Sequence, residues 1–183
     1  GCVKILIQDR RPAPGAPGTR QEDTTMTQSD MLRMAEELLI GFGEFCGMEI
    51  QSIDGKTLSG TMPLRKEVLN VHGFAHGGAI NTLMDTAAGI LATFATDPPR
   101  RVVTRSADNH FLRPIGGDSM RVEAQVVKTG KTCCLVNTDV YDDQGRIAAV
   151  GYFDVVYVTV PQDRLIEEVR RAEFKKESWE ERP

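Results

Sequence analysis

Hydrophobic residues recur with a helical period around residue 35. Between residues 29 and 41 they lie three or four positions apart, at Met31, Met34, Ala35, Leu38 and Leu39, which predicts an amphipathic helix. Thr27 and Asp30 have the spacing of a capping box at its start. Gly41 and Gly43 are expected to end it.

The period changes to alternation in residues 48–64. Leu58, Met62 and Leu64 alternate with polar neighbours, and the pair Asp54-Gly55 separates the two halves of the segment. This pattern predicts a β-hairpin.

Residues 79–95 are apolar at nearly every position, with Asn81 and Asp85 as interruptions. Such a pattern predicts a helix about 25 Å long that is buried on most of its faces. The proline pair that follows Asp97 is expected to end it, because proline cannot donate the next backbone hydrogen bond.

Four further strands are predicted, separated by glycine-containing turns, at residues 102–112, 119–128, 132–141 and 146–159. Their short connections favour an antiparallel meander. The last strand is apolar at successive positions and is expected to be covered on both faces. The order of elements predicts an α+β fold in which one antiparallel sheet wraps around the long helix.

The two ends of the chain differ in composition from its middle. Residues 1–26 are rich in proline, glycine and charge and predict a flexible leader, and we hypothesise that Met26 is the natural start. Residues 161–183 carry mixed charges above a thin apolar stripe and are expected to form a solvated helix. A single domain is predicted over residues 27–160.

Composition excludes several classes of protein. A formal net charge of −4 argues against a nucleic-acid-binding surface. The four cysteines lack CxxC spacing, which fits a reducing compartment and no disulfide framework. No apolar run suits a membrane span or a signal peptide, so a cytoplasmic protein without a membrane partner is expected.

The first candidate for chemistry is the start of the long helix, at His76-Gly77-Gly78. The first N–H groups of a helix have no partner within it and carry the positive end of its dipole. They can stabilise a carbonyl oxygen that gains negative charge, and the absence of a Cβ lets a substrate approach the backbone.

The second candidate is Asp85, a lone carboxylate on the apolar helix. It lies seven residues beyond Gly78, about 10 Å along the axis, so one reacting carbonyl cannot contact both. A shared site would therefore need two copies of the chain, with their helices packed antiparallel about a twofold axis. The alternative is a structural carboxylate paired with an arginine or capping a neighbouring loop.

Other common sites have weak support or none. His72 and His76 are four residues apart, but the glycines around them disfavour a helix there, so no metal site is expected. His110 is taken as a packed or surface residue, while Asp108 and Asn109 could instead face a pocket. A GxSxG elbow, a P-loop and a GxGxxG turn are all absent from the sequence, and no cofactor is implied.

These residues together resemble the hotdog-fold acyl-CoA thioesterases of the phenylacetate-degradation type. The resemblance covers roughly residues 40–158 and is carried by Asn70, His76-Gly77-Gly78, Asp85 and a later KTGKT turn. It implies a sheet curled around the long helix, homodimers with sites at the subunit boundary, and often homotetramers.

The resemblance also implies roles for these residues in thioester hydrolysis. Asn70 and the backbone N–H of Gly77 or Gly78 would polarise the thioester carbonyl, with His76 supporting that arrangement. Asp85 of the opposite subunit would activate water or attack directly. Thr104 corresponds to a serine or threonine on the strand after the helix, with Ser106 as the alternative.

An acyl-CoA substrate would also need sites for its phosphates and its acyl group. Candidates for the phosphates are Arg100, Arg101, Lys128 and Lys131, which are otherwise ordinary solubilising residues. The acyl group would lie between long helices, lined by Leu83, Met84 and Phe74, of which the first two could simply be core.

Two competing functions fit the same fold. One is a non-catalytic acyl-CoA-binding or sensing protein, which retention of Asp85 and Asn70 disfavours. The other is a hotdog dehydratase, which is weakened because Asn70 precedes valine and no Asn-Pro-x-His stretch is present.

Overall fold

A computed structural model describes residues 26–159 of the chain. Its α-helices are α1 (Gln28–Glu37), α2 (Phe42–Cys46) and α3 (Gly77–Phe94), and a short 3-10 helix spans Lys66–Val68. Its strands are β1 (Glu49–Ile53), β2 (Thr57–Pro63), β3 (Val102–Phe111), β4 (Ser119–Thr129), β5 (Cys133–Tyr141) and β6 (Ile147–Tyr157). All six form one antiparallel sheet in the order β1-β2-β4-β5-β6-β3. The expected α+β hotdog fold, with one sheet around a long helix, is confirmed.

The predicted leader up to residue 25 and the predicted helix of residues 161–183 lie outside the described residues. Within residues 26–159, none of the helices combines the length and the apolar character that crossing a membrane would take.

Helix α1 begins as predicted and ends earlier. Thr27 and Asp30 form the expected capping box, in which the Thr27 side chain accepts the Asp30 N–H at 3.2 Å. The predicted end at residue 41 is wrong, because α1 stops at Glu37 and a second short helix, α2, follows. Gly41, with φ of +92°, starts α2, so this glycine separates two helices instead of ending one.

The predicted hairpin is confirmed as β1 and β2. Asp54 organises its turn, because its Oδ1 accepts the backbone N–H groups of Lys56 at 2.8 Å and Thr57 at 2.7 Å. These hydrogen bonds, that of Thr57 first, hold the pKa of Asp54 below its usual value against the opposing effect of burial.

Helix α3 is the centre of the core, as its apolar pattern predicted. Ten of its residues are buried, and the fully buried ones include Leu83, Met84 and Leu91. A half-exposed polar stripe remains, containing Asn81, Thr82, Asp85, Thr86 and Gly89. Burial on most faces is therefore confirmed, and the polar residues share the remaining side.

The expected simple meander is wrong for β3, which pairs with β6 at the sheet edge and not with its successor β4. Of the four later strands, β4, β5 and β6 follow one another as neighbours. The seven residues between β3 and β4 can span roughly 23 Å when extended. β3 and β4 are separated by three strand spacings, about 14 Å. The connection is long enough to cross that distance, so its shortness did not require β3 and β4 to be neighbours.

In the single chain, β6 is fully covered on one face only, where coverage on both faces was expected. Phe153 and Val155 are buried beneath α3, whereas Tyr152, on the opposite face, is 52% exposed. The outer face of β6 is therefore partly covered in the single chain, where Val150, Asp154 and Val156 are half-buried and Tyr152 is exposed.

Candidate functional site

Asp85 lies on the polar stripe of α3, where that stripe meets the edge strand β3. Its Oδ1 accepts a hydrogen bond from Thr104 Oγ1 at 2.7 Å. The carboxylate is half-buried, and none of the ion pairs found within residues 26–159 includes it. The alternative of an arginine-paired structural carboxylate therefore has no support in the described part of the chain.

The choice between Thr104 and Ser106 depends on the register of β3. Thr104 lies opposite the buried Val155 of β6, whereas Ser106 lies opposite Asp154, on the other face of the sheet. Directly opposed residues of antiparallel strands share a face. The structure therefore brings Thr104, and not Ser106, to the helix and to Asp85.

His76 caps the N-terminus of α3. Its Nδ1 accepts the backbone N–H of Gly78 at 2.9 Å, which places the proton of the neutral imidazole on Nε2. Among the hydrogen bonds of residues 26–159, none is donated by the N–H of Gly77. The sequence left Gly77 and Gly78 as equivalent donors, and the geometry leaves Gly77 as the available one.

Asn70 organises the loop that leads into α3. Its Oδ1 accepts the backbone N–H groups of His72 at 2.9 Å and Phe74 at 3.3 Å. Its backbone N–H donates to the Phe74 carbonyl at 2.8 Å. With Oδ1 occupied by the loop, Nδ2 is the end of the amide that can donate to a substrate.

A cavity of about 350 Å³ opens beside Gly77. Its lining is largely apolar and includes Ala75, Gly77, Ile80, Phe111 and Leu112. The Phe111 ring lies 3.7 Å from where a Cβ on Gly77 would be. The available N–H therefore borders a space that can accept an apolar group.

The three predicted acyl-pocket residues are not brought together in this cavity. Leu83 and Met84 are fully buried in the core, which favours the packing role that the sequence left open for them. Phe74, 40% exposed, packs against Gly116 in the loop between β3 and β4.

Two of the predicted phosphate-binding residues, Arg100 and Lys131, are in contact at one corner of the sheet. Arg100 donates to the carbonyl of Lys131 at 2.8 Å, and its guanidinium lies 4.2 Å above the centre of the Tyr157 ring. Lys128 and Lys131 are exposed on the hairpin between β4 and β5. Arg101 is half-buried, and its carbonyl accepts the N–H of Val158 at 3.0 Å.

Asn81 and Asn109 form a second polar contact between α3 and β3, which the sequence did not assign. Asn109 Nδ2 donates to Asn81 Oδ1 one helical turn before Asp85. The available signal was an asparagine four residues before the carboxylate on an otherwise apolar helix. Within residues 26–159, no group of three or more histidine, cysteine or acidic side chains is placed to hold a metal ion.

Comparison with known proteins identifies the family. Residues 72–149 match the family described as the thioesterase superfamily. The acyl-coenzyme A thioesterase PaaI of Escherichia coli is 30% identical over 105 residues, which cover 57% of this chain and 73% of that protein.

Solved structures share the fold at low sequence identity. Thioesterase HI1161 of Haemophilus influenzae superposes with a TM-score of 0.66 at 16% identity, covering 76% of this chain and 96% of that one. A hypothetical thioesterase of Streptococcus pneumoniae, solved with coenzyme A, gives a TM-score of 0.57 at 23% identity, covering 61% of this chain and 85% of that one. From its sequence match to PaaI and to the family, the chain belongs to the thioesterase superfamily.

Proposed function

We propose that this protein hydrolyses an acyl-CoA thioester to the free acid and CoA at a site shared by two copies of the chain. The observation that carries this proposal is that α3 bears both groups. Its Asp85 accepts a hydrogen bond from Thr104 of β3, and its first residue, Gly77, offers an available N–H. A carboxylate and an oxyanion donor are the two groups that acyl transfer to water requires.

The two groups must come from different copies to act on one carbonyl. Gly77 and Asp85 are eight residues apart on α3, about 12 Å along its axis. A general base must lie within about 3 Å of the water that it activates, and an oxyanion donor equally near the carbonyl oxygen. An antiparallel pair of α3 helices would bring Asp85 of each copy to Gly77 of the other and form two equal sites.

The edge strand β3 supports such an assembly. Eight of its ten residues are exposed, and Val103 and Phe111 expose apolar side chains at 50% and 54%. A long unpaired edge strand is a natural place for a second copy to bind. Because β3 also carries Thr104, pairing along this edge would bury the region around Asp85.

In this mechanism, Asp85 removes a proton from water as the water oxygen attacks the thioester carbon. The Gly77 N–H and Asn70 Nδ2 of the other copy stabilise the negative charge that develops on the carbonyl oxygen. Collapse of the tetrahedral intermediate breaks the C–S bond, and the proton held by Asp85 passes to the departing thiolate. Direct attack by Asp85 gives the same products through an anhydride that water then cleaves.

His76 and Thr104 have supporting roles. His76 holds the first turn of α3 through Gly78, which keeps the Gly77 N–H directed outward. Thr104 donates to Asp85 and fixes the orientation of its carboxylate.

The CoA phosphates would bind at the corner formed by Arg100, Arg101, Lys128 and Lys131. Arg100 is held by Tyr157 and by the Lys131 carbonyl, so its guanidinium is preorganised. The structure of the Streptococcus pneumoniae relative with coenzyme A supports a CoA ligand for this fold. The acyl group would enter the cavity beside Gly77.

The direct test is thiol release from acetyl-, hexanoyl-, palmitoyl- and phenylacetyl-CoA. The wild type should release CoA from at least one of them, and Asp85→Asn should lower kcat by about 10²- to 10⁴-fold. Asp139→Asn is a matched control, since it neutralises another half-buried aspartate, on β5, and should leave kcat unchanged. Tight binding without thiol release by the wild type would instead identify an acyl-CoA sensor.

Mixing variants tests the shared site. Asp85→Asn chains and Asn70→Ala chains should each be inactive alone, whereas a 1:1 mixture should regain about a quarter of the wild-type rate, through heterodimers with one intact site. Absence of recovery after verified subunit exchange would reject a site built from two chains.

A further inference from the structure

Helix α3 faces β3 at three places, each one helical turn from the next. Gly77 and Phe111 line the same cavity, Asn81 accepts from Asn109, and Asp85 accepts from Thr104. The helix positions are spaced by four residues, which places them on one face. The amide pair therefore lies between the helix N-terminus and the carboxylate.

The strand positions do not follow a simple alternation. Thr104 and Asn109 are five residues apart, and in a regular strand they would point to opposite faces of the sheet. The register shifts between Thr104 and Ser106, because no residue of β6 lies directly opposite Arg105 in the strand pairing. This bulge moves Thr104 to the side of Asn109, so both side chains reach α3.

Asn109 is placed beneath the helix through the glycine opposite it. Asn109 pairs in register with Gly151 of β6, and a Cβ on Gly151 would lie 2.1 Å from Asn109 Oδ1 and 2.7 Å from Met84 Cε. Any side chain larger than hydrogen at residue 151 would displace the amide.

The burial of Asn109 is costly for the fold. Its Oδ1 is buried, and no hydrogen-bond partner for it occurs within residues 26–159. A valine at this position would satisfy strand propensity without burying a polar atom. A buried polar group of this kind calls for an explanation other than packing.

We propose that the Asn81–Asn109 amide pair is a positioning device, which holds the edge strand against α3 in the register that delivers Thr104 to Asp85. This rests on the proposed function, because the carboxylate being positioned is the one assigned to hydrolysis. Within one chain β3 pairs with β6 alone, and the amide pair adds a direct side-chain contact between β3 and α3 that the bulge alone does not supply. Asn81 and Asn109 act through Thr104 and do not contact the reacting atoms.

Asn109→Ala tests this role. It should lower kcat by at most about tenfold, the loss expected when the Thr104 hydroxyl itself is removed, on a thioester that the wild type cleaves. KM should change less than about twofold, because orientation and not binding is lost. Gly151→Ala should reproduce the effect by displacing the amide without removing it. Wild-type kcat in Asn109→Ala would overturn the proposal.

A double-mutant cycle separates positioning from general stability. In a Thr104→Val background, Asn109→Ala should lower kcat by a further factor of less than about two, since the hydroxyl that Asn109 positions is already absent. Fully additive losses would overturn the proposal. Asn137→Ala is the matched control: it removes another half-buried asparagine, one that donates to the Gly151 carbonyl at 3.3 Å, and should lower the Tm without lowering kcat.

A crystal structure of Asn109→Ala gives a readout that does not depend on activity. The hydrogen bond between Thr104 Oγ1 and Asp85 Oδ1, 2.7 Å in the wild type, should be broken, and its retention would overturn the proposal. If Asp85→Asn proved fully active, the proposed function would fail. The crystal structure of Asn109→Ala would still decide whether the amide pair positions Thr104.

Discussion

The two edges of the sheet are protected in different ways. The β1 edge is short, presents polar side chains such as Glu49, Gln51 and Ser52, and is packed against α1. The β3 edge is twice as long and exposes the apolar side chains of Val103 and Phe111. Proteins normally shield a long apolar edge. The β1 edge is therefore covered within the single chain, whereas the β3 edge is exposed and carries Thr104 of the candidate site.

The largest effect is expected from a charge on the open edge. Val103→Lys should block pairing between two β3 strands, because lysine on an edge opposes strand addition. Each site would then lose its carboxylate, so thiol release should fall about 10³-fold, and sedimentation should show monomers.

Gln51→Lys is the matched control on the other edge. It adds the same charge to exposed β1 and should change neither the assembly nor the activity. If the two lysine variants had the same activity and oligomeric state, or if Val103→Lys kept the oligomeric state of the wild type, the two edges would not differ in their role in assembly.

The next largest effect is expected on the stability of the fold, from a substitution in β2, the strand that pairs with β1. Leu58 of β2 is 2% exposed, so Leu58→Ala should lower the free energy of unfolding by about 3 kcal/mol through the cavity that it leaves. The kcat of the protein that remains folded should not change. Chemical denaturation measures the loss, and Leu38→Ala, at a position 51% exposed, should cost almost nothing.

A smaller effect on activity is expected on the β3 side. Thr104→Val keeps the shape of the side chain and removes the hydroxyl that donates to Asp85. The loss of one hydrogen bond to a charged group should lower kcat about tenfold, while the melting temperature stays close to that of the wild type. A larger loss of stability than of activity would mean that the hydroxyl serves packing.

The smallest effect concerns the β1–β2 turn and depends on pH. Asp54→Ala removes the acceptor for Lys56 and Thr57 and should cost about 0.5–1 kcal/mol, since the carboxylate is exposed and screened by solvent. The folded state lowers the pKa of Asp54 from 3.8, so its contribution is present at neutral pH. That contribution is lost as the pH falls below about 3.8, through the pKa of the folded state.

Thermal unfolding of wild type and Asp54→Ala between pH 7 and pH 2.5 measures this dependence. The difference between the two melting temperatures should shrink at the acid end. A difference that grew on acidification would have the wrong sign for a carboxylate whose pKa is lowered by folding.

Local patterns determined most of the elements. The capping box at Thr27, the Asp54-Gly55 turn, the apolar run of α3 and the four later strands are present as predicted, within a few residues. Each depends on neighbours within a few positions, so the sequence alone carries the necessary information. The same holds for the proximity of His76 and Gly78, which are two residues apart.

Tertiary structure decided what depends on long-range pairing. Residue order could not reveal that β3 crosses to the far edge and pairs with β6, because a seven-residue connection permits either neighbour. Alternation could not separate Thr104 from Ser106, because they are two residues apart and only the bulge between them sends their side chains to opposite faces. The Asn81–Asn109 contact likewise joins residues 28 positions apart, and a contact of that kind exists only once the helix and the strand have packed together.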